Sequence, residues 1–217
     1  MAGRTKRNEQ VSATREALLA AAERLFAEQG VHAVANRQIS EAAGQGNNAA
    51  VTYHFGTKSD LIGAIVRKHG ERIEGARVRM LAELDDSPGL QDSIAAAVYP
   101  VVEHLETLGS PSWYARFVAQ IAADPALRVI AAKVFYAASP SLQALREGLD
   151  RCLPELPPGV HDERAAMTRH LITQMCAERE RALAEGAPTP RATWGEVAAG
   201  LVDVIVAIWQ APVTPRG

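Results

Sequence analysis

Glycine and proline divide this chain into segments of helical length, and this division limits its possible folds more than any other feature of the sequence. Between the breaks, apolar residues recur every three or four positions, and no run alternates apolar and polar residues as a half-buried strand does. Alanine is abundant and aromatic residues make up only 5% of the chain, a composition that favours packed helices over a sheet. The sequence therefore predicts an all-α fold.

The positions of the breaks predict where each helix begins and ends. Gly30, Gly44 and Gly56 stop the first three helices. Asn36 is the predicted N-cap of the second helix and Thr57 that of the fourth. The predicted helices cover about residues 12–29, 36–43, 48–55, 57–84, 90–108, 112–123, 126–137, 140–152, 160–185 and 193–210.

The charge and cysteine content exclude several classes of protein. A formal net charge of −2 means that any surface that binds nucleic acid must be local, because the chain as a whole is not basic. Cys152 and Cys176 form no disulfide or metal-binding pattern, so we expect a cytoplasmic location and no cofactor or metal ion. The most apolar run, residues 201–210, contains Asp203 and is too short to cross a membrane.

Two short helices joined by a glycine-containing turn, and packed on a longer first helix, are typical of a helix-turn-helix unit. The second short helix of such a unit enters the DNA major groove, so its outward side chains must be small or polar. Val51 and Phe55 are the predicted inward anchors of this helix. The predicted outward residues are Asn47, Asn48, Ala49, Thr52 and Tyr53.

Lys58 occupies an unusual place, the first position of the fourth helix. A cation there adds to the positive end of the helix dipole, which is unfavourable unless an anion docks beside it. A DNA phosphate is such an anion, so we expect Lys58 to contact phosphate, with the hydroxyl of Thr57 beside it. Thr57 and Asp60 also have the spacing of a capping box.

Three runs of sequence, "AAERLFAEQG", "RQISEAAG" and "YHFGTKSDLI", resemble the DNA-binding domain of the TetR family of transcriptional regulators over about residues 12–66. The resemblance implies that Asn36 and Arg37, at the start of the second helix, contact DNA. It likewise implies that Lys58 contacts phosphate and that the recognition helix lies at about residues 48–54.

The chain departs from the family's commonest pattern around the recognition helix. Thr52 stands where a tyrosine is usual, Tyr53 comes one place later, and the turn "GQGNN" is one residue longer. Tyr53 is therefore either a core residue or a DNA contact, and so is His54, which lies between two aromatic residues. Asn47 and Asn48 are either base contacts or simple turn and cap residues, as asparagine often is.

These assignments predict the domain organisation. Residues 1–11 form a flexible basic arm, residues 12–60 the DNA-binding domain, and residues 61–217 a larger helical regulatory and dimerisation domain. The boundary falls inside the fourth helix, so a continuous helix and not a linker joins the two domains.

An aromatic cluster in the middle helices is the candidate effector site. It either lines an apolar cavity, with histidines that orient the polar end of an effector, or is ordinary core. The residues assigned to this site are Trp113, Tyr114, Phe117, Phe135, His104 and His170.

The last two helices are the candidate dimer interface. The final helix is apolar around more of its circumference than one packing face requires, so a helix pair from a twin subunit would cover the excess. The residues assigned to this interface are Leu171, Ile172, Met175, Leu201, Ile205, Ile208 and Trp209.

The predicted function is that of a homodimeric, sequence-specific transcriptional regulator, expected to be a repressor released by a small, mainly apolar effector. Its partners are a pseudo-palindromic double-stranded DNA operator, the effector and a second copy of the chain. The alternatives are a helical DNA-binding or interaction protein that needs no ligand, and an all-helical enzyme. The sequence contains no G-x-S-x-G, H-E-x-x-H, P-loop or G-x-G-x-x-G motif that would indicate an enzyme.

Overall fold

The computed structural model describes residues 2–84, 88–154, 156–157 and 159–213, with side chains from residue 8 onward. These ranges contain helices and no strand, which confirms the predicted all-α fold. None of the described helices combines the length and the apolar character needed to cross a bilayer. The helices are α1 (Ala2–Gln29), α2 (Asn36–Ala42), α3 (Ala50–Phe55), α4 (Lys58–Ala82), α5 (Leu90–Leu108), α6 (Tyr114–Ala123), α7 (Pro125–Ala137), α8 (Ser141–Cys152), α9 (Val160–Glu185) and α10 (Trp194–Gln210).

Helix α1 is longer than predicted, because it begins at Ala2 and not near Ser12. The predicted arm at residues 1–11 is thus part of a helix, apart from residue 1, which lies outside the described residues. The physical reason is that residues 4–11 contain no glycine or proline, so nothing in them ends a helix. Residues 8–13 are exposed, and this part of α1 is therefore helical without being packed in a core.

Two compact units make up the chain, and they do not follow the predicted boundary. Unit 1 consists of Met1–His69 and Ser112–Phe135, and unit 2 of Gly70–Pro111 and Tyr136–Gly217. The units divide the chain at other positions than the predicted division between residues 60 and 61: α4 contributes to unit 1 as far as His69, and α6 belongs to the same unit.

The core of unit 1 explains why α6 belongs to it. Phe117 of α6 is fully buried and its ring stacks on that of Phe26 in α1, with the centroids 6.1 Å apart. Tyr114, one helical turn earlier, stacks on His69 of α4 at 3.8 Å. The apolar stripes of α1 and α4 are therefore completed by aromatic residues from a part of the chain more than 40 positions later.

The core of unit 2 lies between α5 and α10, where Leu105 and Ile205 are fully buried. Buried arginines also hold this unit together by donating to backbone oxygens. Arg164 of α9 donates to the carbonyl oxygen of Trp209 at 2.5 Å and to that of Ala211. Cations are rarely buried unless they are paired, and here carbonyl oxygens supply the partners.

Candidate nucleic-acid interface

Helix α3 has one buried and one exposed side, as a recognition helix requires. Ala50 and Val51 are buried, and Val51 has no exposed surface, so it anchors the helix as predicted. Asn48, Ala49 and Thr52 are exposed. The helix begins at Ala50, two residues later than predicted.

The turn before α3 explains the later start. The side-chain oxygen of Asn47 accepts a hydrogen bond from the backbone N–H of Ala49 at 2.9 Å. Its carbonyl oxygen accepts a second one, from the N–H of Ala50 at 3.0 Å. Asparagine forms such turns because its side chain reaches the backbone two residues on. The structure therefore gives Asn47 a turn role, and its exposed amide NH₂ group remains available to another partner.

Tyr53 is 77% exposed, which excludes the core interpretation for this residue. Its ring lies edge-to-face with that of His54, at 5.0 Å between centroids. His54 is half-buried and also lies near Phe55, at 6.4 Å. Tyr53 is thus the most outward aromatic group of α3, and His54 supports it from the side.

Helix α2 differs from the prediction at its first turn. Its N-cap is Ala35, not Asn36, and the side-chain oxygen of Gln38 accepts from the Ala35 N–H at 2.7 Å. Asn36 is the first residue of the helix and half-buried. The exposed Arg37 donates through Nε to Glu41 at 2.7 Å, and this hydrogen bond raises the pKa of Arg37.

Lys58 does begin α4, but its side chain does not extend toward the solvent side of the helix start. Its Nζ donates to the carbonyl oxygens of Val34 at 2.6 Å and Val31 at 3.1 Å. Both carbonyls belong to the loop that follows α1, near the negative end of that helix dipole. The structure thus corrects the premise that an anion is needed to make a cation favourable at this position: the loop carbonyls already stabilise it.

The positive end of α4 has its own compensation, a complete capping box. The Thr57 N–H and hydroxyl both donate to Asp60 Oδ2, at 3.0 and 2.6 Å, and Thr57 Oγ1 accepts from the Asp60 N–H at 3.1 Å. These hydrogen bonds, that of the Thr57 side chain first, lower the pKa of Asp60. The predicted capping box is confirmed, and the hydroxyl proton of Thr57 is used within it.

The predicted effector residues are distributed over both units. Tyr114 and Phe117 are buried core residues of unit 1, and burial raises the pKa of Tyr114, with a further contribution from Glu23. Trp113 and Phe135, also in unit 1, are half-buried, and Trp113 Nε1 donates to Glu28 at 3.1 Å. Both histidines belong to unit 2, where one is buried and the other exposed. They are His104 and His170 respectively.

The predicted dimer residues face in two directions. Leu201, Ile205 and Trp209 are buried within unit 2, which corrects their assignment to a surface that meets a second subunit. They lie on the face of α10 that covers the core, so they are not available to a partner. The four others are accessible: Met175 is 42% exposed, and Leu171, Ile172 and Ile208 are half-buried.

A buried hydrogen-bonded pair of His69 and Glu23 carries no local motif, so the motifs of the sequence do not indicate it. His69 Nε2 lies 2.8 Å from Glu23 Oε2, and both side chains are buried. Glu23 follows Leu19 by four residues and precedes Phe26 by three, so it lies on the apolar stripe of α1. A charged residue on an apolar stripe is the available signal, because its burial requires a partner from another helix. Among the described residues, no group of His, Cys, Asp and Glu could hold a metal ion.

Comparison with known families matches both parts of the chain. Residues 18–65 match the family model of the bacterial regulatory proteins of the tetR family. Residues 95–207, more than half of the chain, match the model of the tetracyclin repressor-like C-terminal domain. No curated protein sequence matches the chain.

Solved structures show the same fold over most of their length. The regulator PfmR from Thermus thermophilus is 20% identical, with a TM-score of 0.54 over 92% of this chain and 97% of its own. A TetR family regulator from Marinobacter aquaeolei VT8 is 14% identical, with a TM-score of 0.61 over 93% and 97%. NalD from Pseudomonas aeruginosa is 24% identical, with a TM-score of 0.55 over 88% and 94%. The helix-turn-helix geometry and the two family matches together establish that the chain belongs to the TetR family of bacterial transcription regulators.

Proposed function

We propose that the protein is a homodimeric repressor that binds a pseudo-palindromic DNA operator through α2 and α3 and leaves it when a small effector binds. The observation that supports DNA binding is that α3 has one buried side and one exposed side. Its inner side is held by Val51, while small, polar and aromatic groups face outward on its other side. A helix with this pattern fits the major groove, where base edges accept such contacts.

Asn48, Ala49 and Thr52 are the proposed base-reading residues. The exposed Tyr53 and Arg37 are the proposed contacts with the neighbouring part of the DNA. Arg37 must exchange its hydrogen bond with Glu41 for a base or phosphate. Because both groups of that pair are exposed and water can replace either partner, the exchange costs little free energy. Lys58 has three N–H groups and uses two, so its third remains for a phosphate contact.

Selection of bound sequences from a random DNA pool tests this proposal. We expect a motif with two half-sites about 34–36 Å apart, centre to centre, as two major-groove readers of a dimer require. Thr52→Val and Asn48→Ala should change the selected bases. Val129→Ala, an exposed change on α7, is the matched control and should return the wild-type motif. A pool that shows no enrichment contradicts the proposal.

The proposed dimer interface uses the flank of α10 that carries apolar residues and is not covered within unit 2. Val197, Val204 and Ile208 share this flank, and Val204 is 51% exposed. Met167, Leu171 and Met175 follow each other at four-residue intervals on α9. Packing these two stripes against their copies would form an isologous four-helix interface.

A pair of glutamate substitutions on α10 tests the interface by light scattering. Val204→Glu places a charge in the proposed contact and should give monomers at micromolar concentration. Ala199→Glu is also exposed but lies on the other flank of the helix, so it should leave the dimer intact. A wild-type chain that is monomeric, or two variants with the same mass, would contradict the assignment.

The proposed effector is a small, mainly apolar molecule that enters beside Trp113 and Phe135. NalD is described as the secondary repressor of the MexAB-OprM multidrug efflux pump, which motivates a test for repression and release. An effector that favours the DNA-free conformation over the DNA-bound one by about 1–3 kcal/mol weakens DNA binding roughly 5–150-fold.

Trp113 fluorescence, followed during titration with a metabolite library, should change in parallel with DNA release. The Trp113→Phe protein shows how much of the fluorescence change comes from the other tryptophans. If an effector releases DNA normally from the Trp113→Ala and Phe135→Ala proteins, its site lies elsewhere.

A further inference from the structure

A groove of about 360 Å³ lies within unit 1, among helices α1, α3, α4 and α7. Its size is within the range of sites that bind small molecules. Its lining combines two arginines with apolar side chains.

The arginines are Arg15 of α1 and Arg67 of α4. In the part of the chain whose side chains are described, neither forms an ion pair with a carboxylate. Arg15 instead lies over the ring of Phe55, with its guanidinium carbon 4.9 Å from the ring centroid. A guanidinium held against an aromatic face keeps its edge N–H groups free to bind an anion.

Another part of the lining is apolar. Ile130 and Val134, one turn apart on α7, contribute to it, and Gly63 of α4 leaves it open. A Cβ atom on Gly63 would lie 3.4 Å from Val134 Cγ2, so a larger side chain at this position would occupy the groove.

We propose that this groove binds a small organic anion, with its charged group between Arg15 and Arg67 and its apolar body against Ile130 and Val134. The proposal concerns a site other than the aromatic cluster beside Trp113, and it does not depend on DNA binding. A bound carboxylate would gain two charge-assisted contacts, while its apolar body would be removed from water.

Two other charged or titratable groups line the groove, and the two arginines outnumber the single acid among them. Asp60 is an acid, but its Oδ2 is engaged by the N–H and hydroxyl of Thr57. His54 is a further possible donor. The apolar wall distinguishes the site from a contact for a DNA phosphate, which has no apolar body to bury.

The test uses the full chain and two nearly isosteric fluorescent probes, 2-naphthoate and the neutral 2-naphthamide. We expect saturable binding of 2-naphthoate and binding of 2-naphthamide at least about tenfold weaker, because only the anion pairs with both arginines. Equal affinity of the two probes, or no saturation of 2-naphthoate at low millimolar concentration, overturns the proposal.

Variants locate the probe. Arg67→Ala and Arg15→Ala should each weaken 2-naphthoate about tenfold, whereas Arg128→Ala, an exposed arginine of α7 outside the groove, should not. Gly63→Leu keeps both arginines but fills the space, so it should abolish binding of both probes. A cooperative thermal transition shows that each variant is folded. Unchanged affinity in Arg67→Ala or Gly63→Leu places the probe elsewhere and contradicts the site.

A salt titration of DNA binding separates the two anion sources. If Arg67 binds an organic anion and not DNA, the Arg67→Ala substitution leaves the slope of log K for DNA binding against log salt concentration unchanged. A slope flatter by about 0.9 per subunit would assign the arginine to a DNA phosphate and overturn the proposal.

Discussion

At both ends of α4 a cationic side chain donates to backbone carbonyl oxygens, but the two cations differ in burial. Near its start, the half-buried Lys58 donates to two loop carbonyls, and Thr57 and Asp60 close a capping box beside it. In its later turns Arg77, only 1% exposed, donates to the Ala96 carbonyl at 3.2 Å and to Glu74 at 3.1 Å. Both ends place a cation on backbone oxygen, but only the second removes it from water.

The two cations therefore have similar partners, and they differ in how far water can reach them. Glu74 also accepts from the backbone N–H and the hydroxyl of Ser141, at 2.9 and 2.7 Å, so the buried end is a network. Burial lowers the pKa of Arg77, while Glu74 acts in the opposite direction. At the buried end, loss of one partner leaves others unpaired where water cannot replace them.

The largest expected effect is therefore that of Arg77→Met. We expect the free energy of unfolding, measured in urea, to fall by about 3–5 kcal/mol, because the change leaves the Ala96 carbonyl without its Arg77 donor and takes the cation of this network away from the Glu74 carboxylate, which keeps its two contacts with Ser141. Arg79→Met, two positions on and exposed, is the matched control and should change stability by less than about 0.5 kcal/mol. Similar losses in the two variants would remove the distinction between the two ends of the helix.

Lys58→Met should have a smaller effect on stability, about 1–3 kcal/mol, because a half-buried site lets water reach the two carbonyls. Lys68→Met is the control, since Lys68 pairs with Glu16 at the surface and should lose about 0–1 kcal/mol.

The same variant decides whether Lys58 has a second role. If its third N–H contacts a phosphate, the salt slope of DNA binding flattens by about 0.9 per subunit. An unchanged slope together with a loss of stability would make Lys58 a structural residue only.

Thr57→Ala should cost about 1 kcal/mol, the ordinary effect of an N-cap. Thr57→Ser keeps the hydroxyl and should restore most of the loss, as measured by urea unfolding. If serine and alanine were equivalent, the hydroxyl contacts with Asp60 would contribute nothing.

The smallest effect is the pH dependence of Asp60. Its pKa is lowered in the folded state, so its contribution is present above the pKa of the unfolded chain, about 3.9, and is lost as pH falls through the folded value. The stability difference between wild type and Asp60→Asn should therefore be constant above about pH 5 and shrink below about pH 4. A difference that grows on acidification would contradict the assigned hydrogen bonds.

Much of the fold was predictable because glycine and proline mark the chain so clearly. From α2 onward, every predicted helix boundary lies within two residues of the observed one. The start of α1 was not predictable in the same way, since no residue between 4 and 11 forces an end. The buried inner side of α3 also followed from the spacing of Val51 within its helix.

The details of the sites depend on contacts that sequence spacing does not contain. Periodicity places Leu201 and Ile205 on one face of α10, but it does not say whether that face meets its own subunit or another. Lys58 finds its carbonyls 24 and 27 residues earlier, and Arg67 shares a groove with Arg15 from a different helix. Such pairings appear only when the helices are packed.

Unit 1 is built from two separated segments of the chain, so the ribosome synthesises these segments at different times. Residues 2–69 emerge first, yet Phe26 must wait for Phe117, which arrives only after residues 70–111 of the other unit. At about 5–20 residues per second, synthesis of residues 70–135 takes roughly 3–13 seconds. During that interval the N-terminal segment of the nascent chain exposes the apolar surface that Phe117 later covers. Such a surface is a binding site for a chaperone that shields apolar segments.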